Sequence, residues 1–287
     1  VIEDFIWQQS AEDARKIEDP FAVVLNDFIS AAPELGQPLS CNISNACASS
    51  HVALEYAQDL FAMGRIDYAI VIAADLIGPF VYQGFYSLKV LSQTQNKPFS
   101  ADRDGLQLGE AITMMVLTKT PTALQIAGVA SDTEGTSITR PSMNGASLAK
   151  TFEILQKSVS KFQPDLIVAH GTGTKFNDMA EDRALHSFFS KNDSLRAPAV
   201  TNTKWSLGHT LGASGMIDLI AACEILKSGK VFPIAATTKS DTTLTMNYLN
   251  STTARDFQNP VQQVLINSLG FGGVHASLLV QKAEASL

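Results

Sequence analysis

Cysteine is scarce in this chain: its 287 residues include three, Cys41, Cys47 and Cys223. An odd number without CxxC spacing indicates neither a disulfide framework nor a zinc site, and it fits a reducing, cytoplasmic setting. Long apolar runs are missing as well. No stretch reaches the roughly 18 residues of a membrane span, and the N-terminus does not read as a signal peptide. Basic runs are also lacking, since 21 Lys and Arg face 28 Asp and Glu for a net charge of −7. Such a chain has no clustered cations to meet nucleic-acid phosphates, so neither nucleic acid nor a membrane is expected as a partner. With 45% hydrophobic and 17% charged residues, the composition is that of an ordinary globular protein. Its length allows one large domain or two halves.

The chain is organised around Asn45-Ala46-Cys47-Ala48-Ser49-Ser50. Leu39 to Ser44 alternates apolar and polar residues, which predicts a strand; Val52, Ala53, Tyr56, Ala57, Leu60, Phe61 and Met63 recur at helical spacing, and Gly64 can end that helix. Cys47 then falls at or just before a helix N-terminus. The unpaired N–H groups and positive dipole end there favour a thiolate, a better nucleophile at neutral pH, and the small neighbours leave room for a substrate. A lone cysteine can equally be a buried structural residue, and that alternative stands until the rest of the chain is read.

Residues 1–20 read as an acidic surface segment or short helix, and Phe21–Ala32 as a helix stopped near Pro33. Tyr68–Ala74 is a continuous apolar run of the kind covered on both faces. Strand, helix, strand in that order predicts a βαβ unit and a layered α/β fold. Residues 76–110 lack a long period and read as a long loop. Strands are predicted over 111–118 and 124–130, a helix over 148–162, a strand over 165–169, a helix over 178–189 and a strand over 199–203. An apolar helix over 212–226 and strands over 264–268 and 274–280 complete the pattern. The division is into a half of residues 1–122 carrying Cys47 and a half of residues 123–287.

Three glycine-rich turns at strand ends carry the remaining polar chemistry: His170 in HGTGT, Lys204 and His209 in KWSLGHTLGASG, and Phe271 in GFGG. Singly each has a plain explanation: a loop histidine, a solvated lysine, a capping or core histidine, a core phenylalanine. Jointly, a cysteine, two histidines and a lysine stand at strand edges, where α/β proteins bind ligands. A cysteine can accept an acyl group as a thioester. Two histidines can hydrogen-bond a thioester carbonyl and stabilise the charge left when an adjacent carboxylate departs as carbon dioxide. Backbone N–H groups at Cys47 and in the 270–272 turn could form an oxyanion hole, and no metal is required.

ACASS, KPFSADRDGLQLGEA, HGTGTKFND, KWSLGHTLGASG and NSLGFGG, in that order, closely resemble the β-ketoacyl-acyl-carrier-protein synthases of the thiolase superfamily. The resemblance runs from about Leu35 to Val280. It implies an α/β, duplicated thiolase-like fold, layered α-β-α-β-α, with the N-terminal half shortened. It also implies that Cys47 is the acyl-accepting nucleophile and that His170 and His209 promote decarboxylation of a malonyl thioester. Lys204 then orders the site through a carboxylate matched to Glu181, Thr172 and Thr174 contact a phosphopantetheine arm, and Phe271 is the gate beside the cysteine. No tightly bound cofactor is implied, because phosphopantetheine arrives on the acyl carrier protein. The implied partners are that carrier protein and a second subunit, in a homodimer or in a heterodimer with a related ketosynthase.

Several positions depart from the family pattern. Only 46 residues precede Cys47, far fewer than usual, and the chain begins at Val1, which reads as a fragment or as a shortened member completed by a partner. Leu269 replaces a usual Phe and Val274-His275 a usual Thr-Asn. Cys41 and Cys223 read as core, and His51 and His186 as helix residues outside any motif. A thiolase would need a second cysteine near the C-terminal glycine turn, and none is there. The competing expectation is a non-catalytic partner subunit like the chain-length factors that shape a ketosynthase pocket.

Overall fold

The computed structural model describes residues 20–35, 38–192, 194–254, 257 and 259–283; of the segment read as an acidic surface segment or short helix, residues 1–20, all but Pro20 lie outside them. In chain order the helices and strands are α1 (Pro20–Ala31), α2 (Ser49–Ala62), β1 (Tyr68–Asp75), α3 (Pro79–Ser87), β2 (Ala111–Thr118), β3 (Leu124–Thr133), α4 (Ala146–Ser158) and β4 (Leu166–Val168). They continue as α5 (Lys175–Phe189), β5 (Ala199–Thr201), the single turn α6 (Lys204–Leu207), α7 (Ser214–Ser228), β6 (Asn247–Tyr248), β7 (Gln263–Leu269) and β8 (Val274–Lys282).

Six strands form one sheet in the order β3-β8-β7-β4-β5-β6, in which β7, β4, β5 and β6 are parallel and β8 runs antiparallel to both β7 and β3. Because side chains alternate along a strand, each face of this sheet has its own core. Ile167, Val200, Leu265 and Leu279 pack with Phe152 and Leu155 of α4 and Leu185 and Phe188 of α5. Leu166, Val168, Val264, Ile266 and Leu278 pack with Leu54 of α2 and Met216, Leu219 and Ala222 of α7. Helices α2 and α7 therefore lie between this sheet and a second, two-stranded sheet, β1 and β2, paired antiparallel from Tyr68↔Thr118 to Asp75↔Ala111.

That second sheet corrects one sequence expectation. Val71, Ala73, Met115 and Leu117 face the inner helices. The opposite face is apolar but open, with Tyr68, Ile70, Ile72, Ile112, Met114 and Val116 all exposed. A continuous apolar run thus marks a strand here without marking one covered on both sides. A second correction concerns residues 39–44, which form no strand and are largely exposed, Cys41 among them. Cys223 is half-buried on α7 against the inner core. Within the stretch read as loop, Pro79–Ser87 is helical; proline suits its first turn because the missing N–H has no partner there in any helix.

Two glycines are needed where the site is assembled. Gly171 has φ +41, and a Cβ there would lie 2.6 Å from the Phe99 ring and 2.8 Å from the Asn202 amide. Gly270 has no room for a side chain either, because a Cβ would meet the Asn45 carbonyl at 2.9 Å. The strand-end turns approach one another closely because those positions have no side chain.

Candidate active site

Cys47 sits immediately ahead of α2, in a short turn that its neighbours brace. Ala46 has φ +48, a strained value for a residue with a Cβ, and the Asn45 N–H donates to Ser49 Oγ (2.8 Å) while that hydroxyl donates to the Ala46 carbonyl (2.6 Å). Ser50 Oγ donates to the Gly212 carbonyl, and Gly212 N–H to Asp75 Oδ2 (2.7 Å), so the first turn of α2, the end of β1 and the entry to α7 are tied together.

Three of the sequence-selected residues meet here. Cys47 Sγ lies 3.0 Å from His209 Nε2, and the rings of His170 and His209 pack edge to face at 5.2 Å. The backbone N–H groups of Phe271 and of Cys47 itself are near enough to the sulfur to favour its charged form. All three side chains are at least 96% buried. The Phe271 ring stacks on Phe85 of α3 at 5.6 Å, a neighbour the loop reading of residues 76–110 missed.

Lys204 is also close, but its partner differs from the sequence expectation. Its Nζ lies 2.9 Å from Asp218 Oδ2 on α7, and both side chains are buried. Glu181 does other work, accepting the His170 N–H (2.8 Å), the Gly171 N–H (2.8 Å) and Asn267 Nδ2 (3.1 Å). It holds the HGTGT turn by its backbone, and the lysine is neutralised by Asp218, fourteen residues downstream. The available signal was the one aspartate in the otherwise apolar first turns of α7, since a lone carboxylate on a buried helix face needs a counter-charge.

Thr172 and Thr174 share a hydroxyl hydrogen bond at 3.0 Å, and Gly173 N–H donates to Asp178 Oδ1 (3.1 Å). Asp178 in turn accepts the Phe99 N–H (2.8 Å) and pairs with Arg103 Nε at 3.5 Å. This explains the KPFSADRDG segment: its buried arginine pins Phe99, at φ +60, against Gly171.

Burial dominates the electrostatics. It pushes the Cys47 thiol up to about 11, against the pull of the Lys204 charge and the Phe271 N–H. It brings His209 down to about 3, with Lys204 acting in the same direction, and holds His170 well below the usual range. Glu181 is raised to about 7, again by burial. Burial of the sulfur thus opposes the thiolate that the helix N-terminus favours. At neutral pH the centre is a thiol beside two neutral imidazoles, and a neutral imidazole can donate one N–H to an oxygen while accepting at the other nitrogen.

A pH prediction follows from the sign of the cysteine shift. Below its pKa the thiolate fraction grows tenfold per pH unit, so alkylation of Cys47 by iodoacetamide, read by peptide mass, should rise about tenfold per unit from pH 7 to pH 9. A plateau below pH 8 would show that the helix N-terminus prevails over burial.

Comparison with known proteins bears on the whole arrangement. The family model "Beta-ketoacyl synthase, N-terminal domain" matches residues 37–123, and "Beta-ketoacyl synthase, C-terminal domain" matches residues 123–238. Nodulation protein E of Rhizobium sp. (strain N33) is 28% identical over 82% of this chain and 60% of its own length. The chloroplastic 3-oxoacyl-[acyl-carrier-protein] synthase II of Arabidopsis thaliana is 27% identical over 91% of this chain and 50% of its own. The chain thus spans about half to three fifths of the curated relatives it matches. Among solved structures, the complex of a ketosynthase with its chain length factor from Xenorhabdus doucetiae contains a chain that aligns with 98% of this one and over 70% of itself, at TM-score 0.78 and 28% identity. A complex of a type II polyketide acyl-carrier protein with its ketosynthase, bound to the hexaketide, aligns over 88% of this chain and 66% of that one, at TM-score 0.80 and 25% identity.

Proposed function

The chain belongs to the β-ketoacyl synthase family of the thiolase superfamily and has its thiolase-like fold, and we propose that it performs the family's decarboxylative Claisen condensation. The observation that carries the proposal is the 3.0 Å approach of Cys47 Sγ to His209 Nε2 with His170 packed beside them. In the first stage Cys47 attacks an acyl thioester; the new sulfur–carbonyl bond forms as the carrier thiol leaves, taking the cysteine's proton. The Phe271 and Cys47 N–H groups are the donors assigned to the tetrahedral oxyanion. In the second stage a malonyl thioester enters and its carboxylate leaves as carbon dioxide. His170 and His209 then donate hydrogen bonds to the enolate oxygen, its carbon attacks the Cys47 acyl group, and the thiolate departs. The donor and extender ride on the phosphopantetheine of an acyl carrier protein, with Thr172 and Thr174 toward that arm. The functional unit is a homodimer or a heterodimer with a related ketosynthase.

A second reading is a chain-length-factor-like partner, favoured by the kinship to ketosynthase and chain-length-factor complexes. It gives no reason for Cys47, His170, His209 and Lys204 to be gathered at one buried point, so the catalytic reading stands first. The two differ in one assay. Purified chain supplied with an acyl-carrier thioester and malonyl-carrier protein should yield β-ketoacyl-carrier product and one carbon dioxide per condensation. Product formed only when a separate ketosynthase is added, and unaffected by Cys47→Ala, would establish the partner reading.

A further inference from the structure

We propose that His275 and Glu134 form a latch that positions the Phe271 turn and so sets which acyl chains reach Cys47. This rests on the catalytic reading above. His275 is the second residue of β8, four residues after Phe271, and is 2% exposed. Its Nε2 lies 3.1 Å from Glu134 Oε1, with the two side chains 3% and 9% exposed. Glu134 begins the segment that leads from β3 to α4, and this segment holds the turn at two further points. The Glu134 N–H donates to the Gly273 carbonyl (2.9 Å), and the Gly272 N–H donates to the Ile138 carbonyl (2.7 Å). Glu134 Oε1 also accepts the Ser142 N–H at 2.6 Å, so one carboxylate fastens its own loop and grips the strand behind the turn.

The neighbouring charges explain why Glu134 is the partner. Asp132 lies directly across the β3–β8 ladder from His275, but its carboxylate is already engaged by Ser147 Oγ (2.7 Å) and by Lys150 of α4. Glu134 is the carboxylate left to His275. Gly273 is held at φ +79 with its Cβ position 2.1 Å from the Glu134 carbonyl, which leaves the turn no slack on that side. On its other side the turn presents Phe271, stacked on Phe85, with its backbone N–H near enough to Cys47 to lower the thiol pKa. The Phe271 ring is therefore tethered, through three residues of backbone, to the buried His275–Glu134 contact. His275 and Glu134 are positioning residues: neither touches the sulfur.

The test uses two readouts on the full chain. In hydrogen exchange, His275→Ala and Glu134→Ala should speed exchange at the Gly272 and Glu134 amides about tenfold while Val264 and Ile266 in β7 stay protected. Glu134→Gln, which keeps the acceptor, should stay within about threefold of the parent. In acyl loading of Cys47, the ratio of rates for long and short acyl-carrier donors should move in both alanine variants toward that of Phe271→Ala, and His275→Ala should add nothing in a Phe271→Ala background. The latch is overturned if the alanine variants keep the parent's exchange and donor ratio. It is equally overturned if His275→Ala shifts the ratio by the same factor whether or not Phe271 is present. If the parent loads no acyl group, the catalytic reading fails and exchange alone decides the latch. If His275→Ala loses protection throughout β7, the latch stands when Glu134→Ala exchanges faster than Glu134→Gln and falls when the two exchange alike.

Discussion

Lys204→Ala is expected to lower stability by about 3–5 kcal/mol, because it strands the buried Asp218 carboxylate with Thr203 as its remaining hydrogen-bond partner. The 2.9 Å pair is sealed from water, and the attraction that offsets desolvation disappears with one member. Removing both charges, as in Lys204→Met with Asp218→Leu, should recover much of the loss, since well-packed apolar replacements avoid the desolvation cost. The sign with pH follows from Asp218, which burial holds above its ordinary value while Lys204 pulls it down. Without Lys204 its folded pKa rises further, so the stability lost is greater at pH 8 than at pH 5, where the carboxylate can take up a proton. Urea midpoints of the parent, the single and the double variants at both pH values measure all of this. A single variant as stable as the parent would mean that the pair is hydrated in solution.

His170→Ala and His209→Ala should each reduce malonyl decarboxylation by about 10²- to 10³-fold, the loss that follows removal of one oxyanion donor. They should differ in the earlier step. His209 touches the sulfur, so its loss should also slow acyl loading of Cys47. His170 packs on His209, and its replacement should leave loading within about threefold while stopping decarboxylation. The double variant should be little worse than either single one, as residues acting on one oxygen are not additive. Carbon dioxide release and the rate of acyl-enzyme formation separate the two stages. Loading abolished by His170→Ala would place that ring in the first stage and contradict the division of labour.

How much of this could be read from residues alone depended on how local each cause was. The helix after Cys47 was legible because Leu54 and Ala57 recur on its buried face and Gly64, at φ +68, ends it. The β7–β8 pair was legible because each strand carries an apolar run, Val264 to Ile266 and Leu278 to Val280, and Gly270 to Gly273 must turn between them. Helix α3 was not, since it is only nine residues long and none of them is buried. The alternation over Leu39 to Ser44 misled, because alternation predicts a strand only where a neighbour can pair with it. At the site, residue types showed which groups to gather, but not how they pair. Asp218 and Glu181 are both buried acids on helices, and the placement of Lys204 in a turn beneath α7 decided between them. The cysteine's protonation state was illegible for the same reason: dipole direction can be read from a helix start, while burial is set by His209, Phe271 and Gly270 arriving from elsewhere in the chain.

Everything proposed for this site depends on Cys47 accepting an acyl group, which the intact mass of the protein shows after incubation with acyl-carrier-protein thioesters of several lengths. One acyl adduct per chain is expected, located on Cys47 by peptide mass and absent from Cys47→Ala. An adduct retained in Cys47→Ala, or no adduct with any donor, would overturn the assignment of Cys47 as the nucleophile.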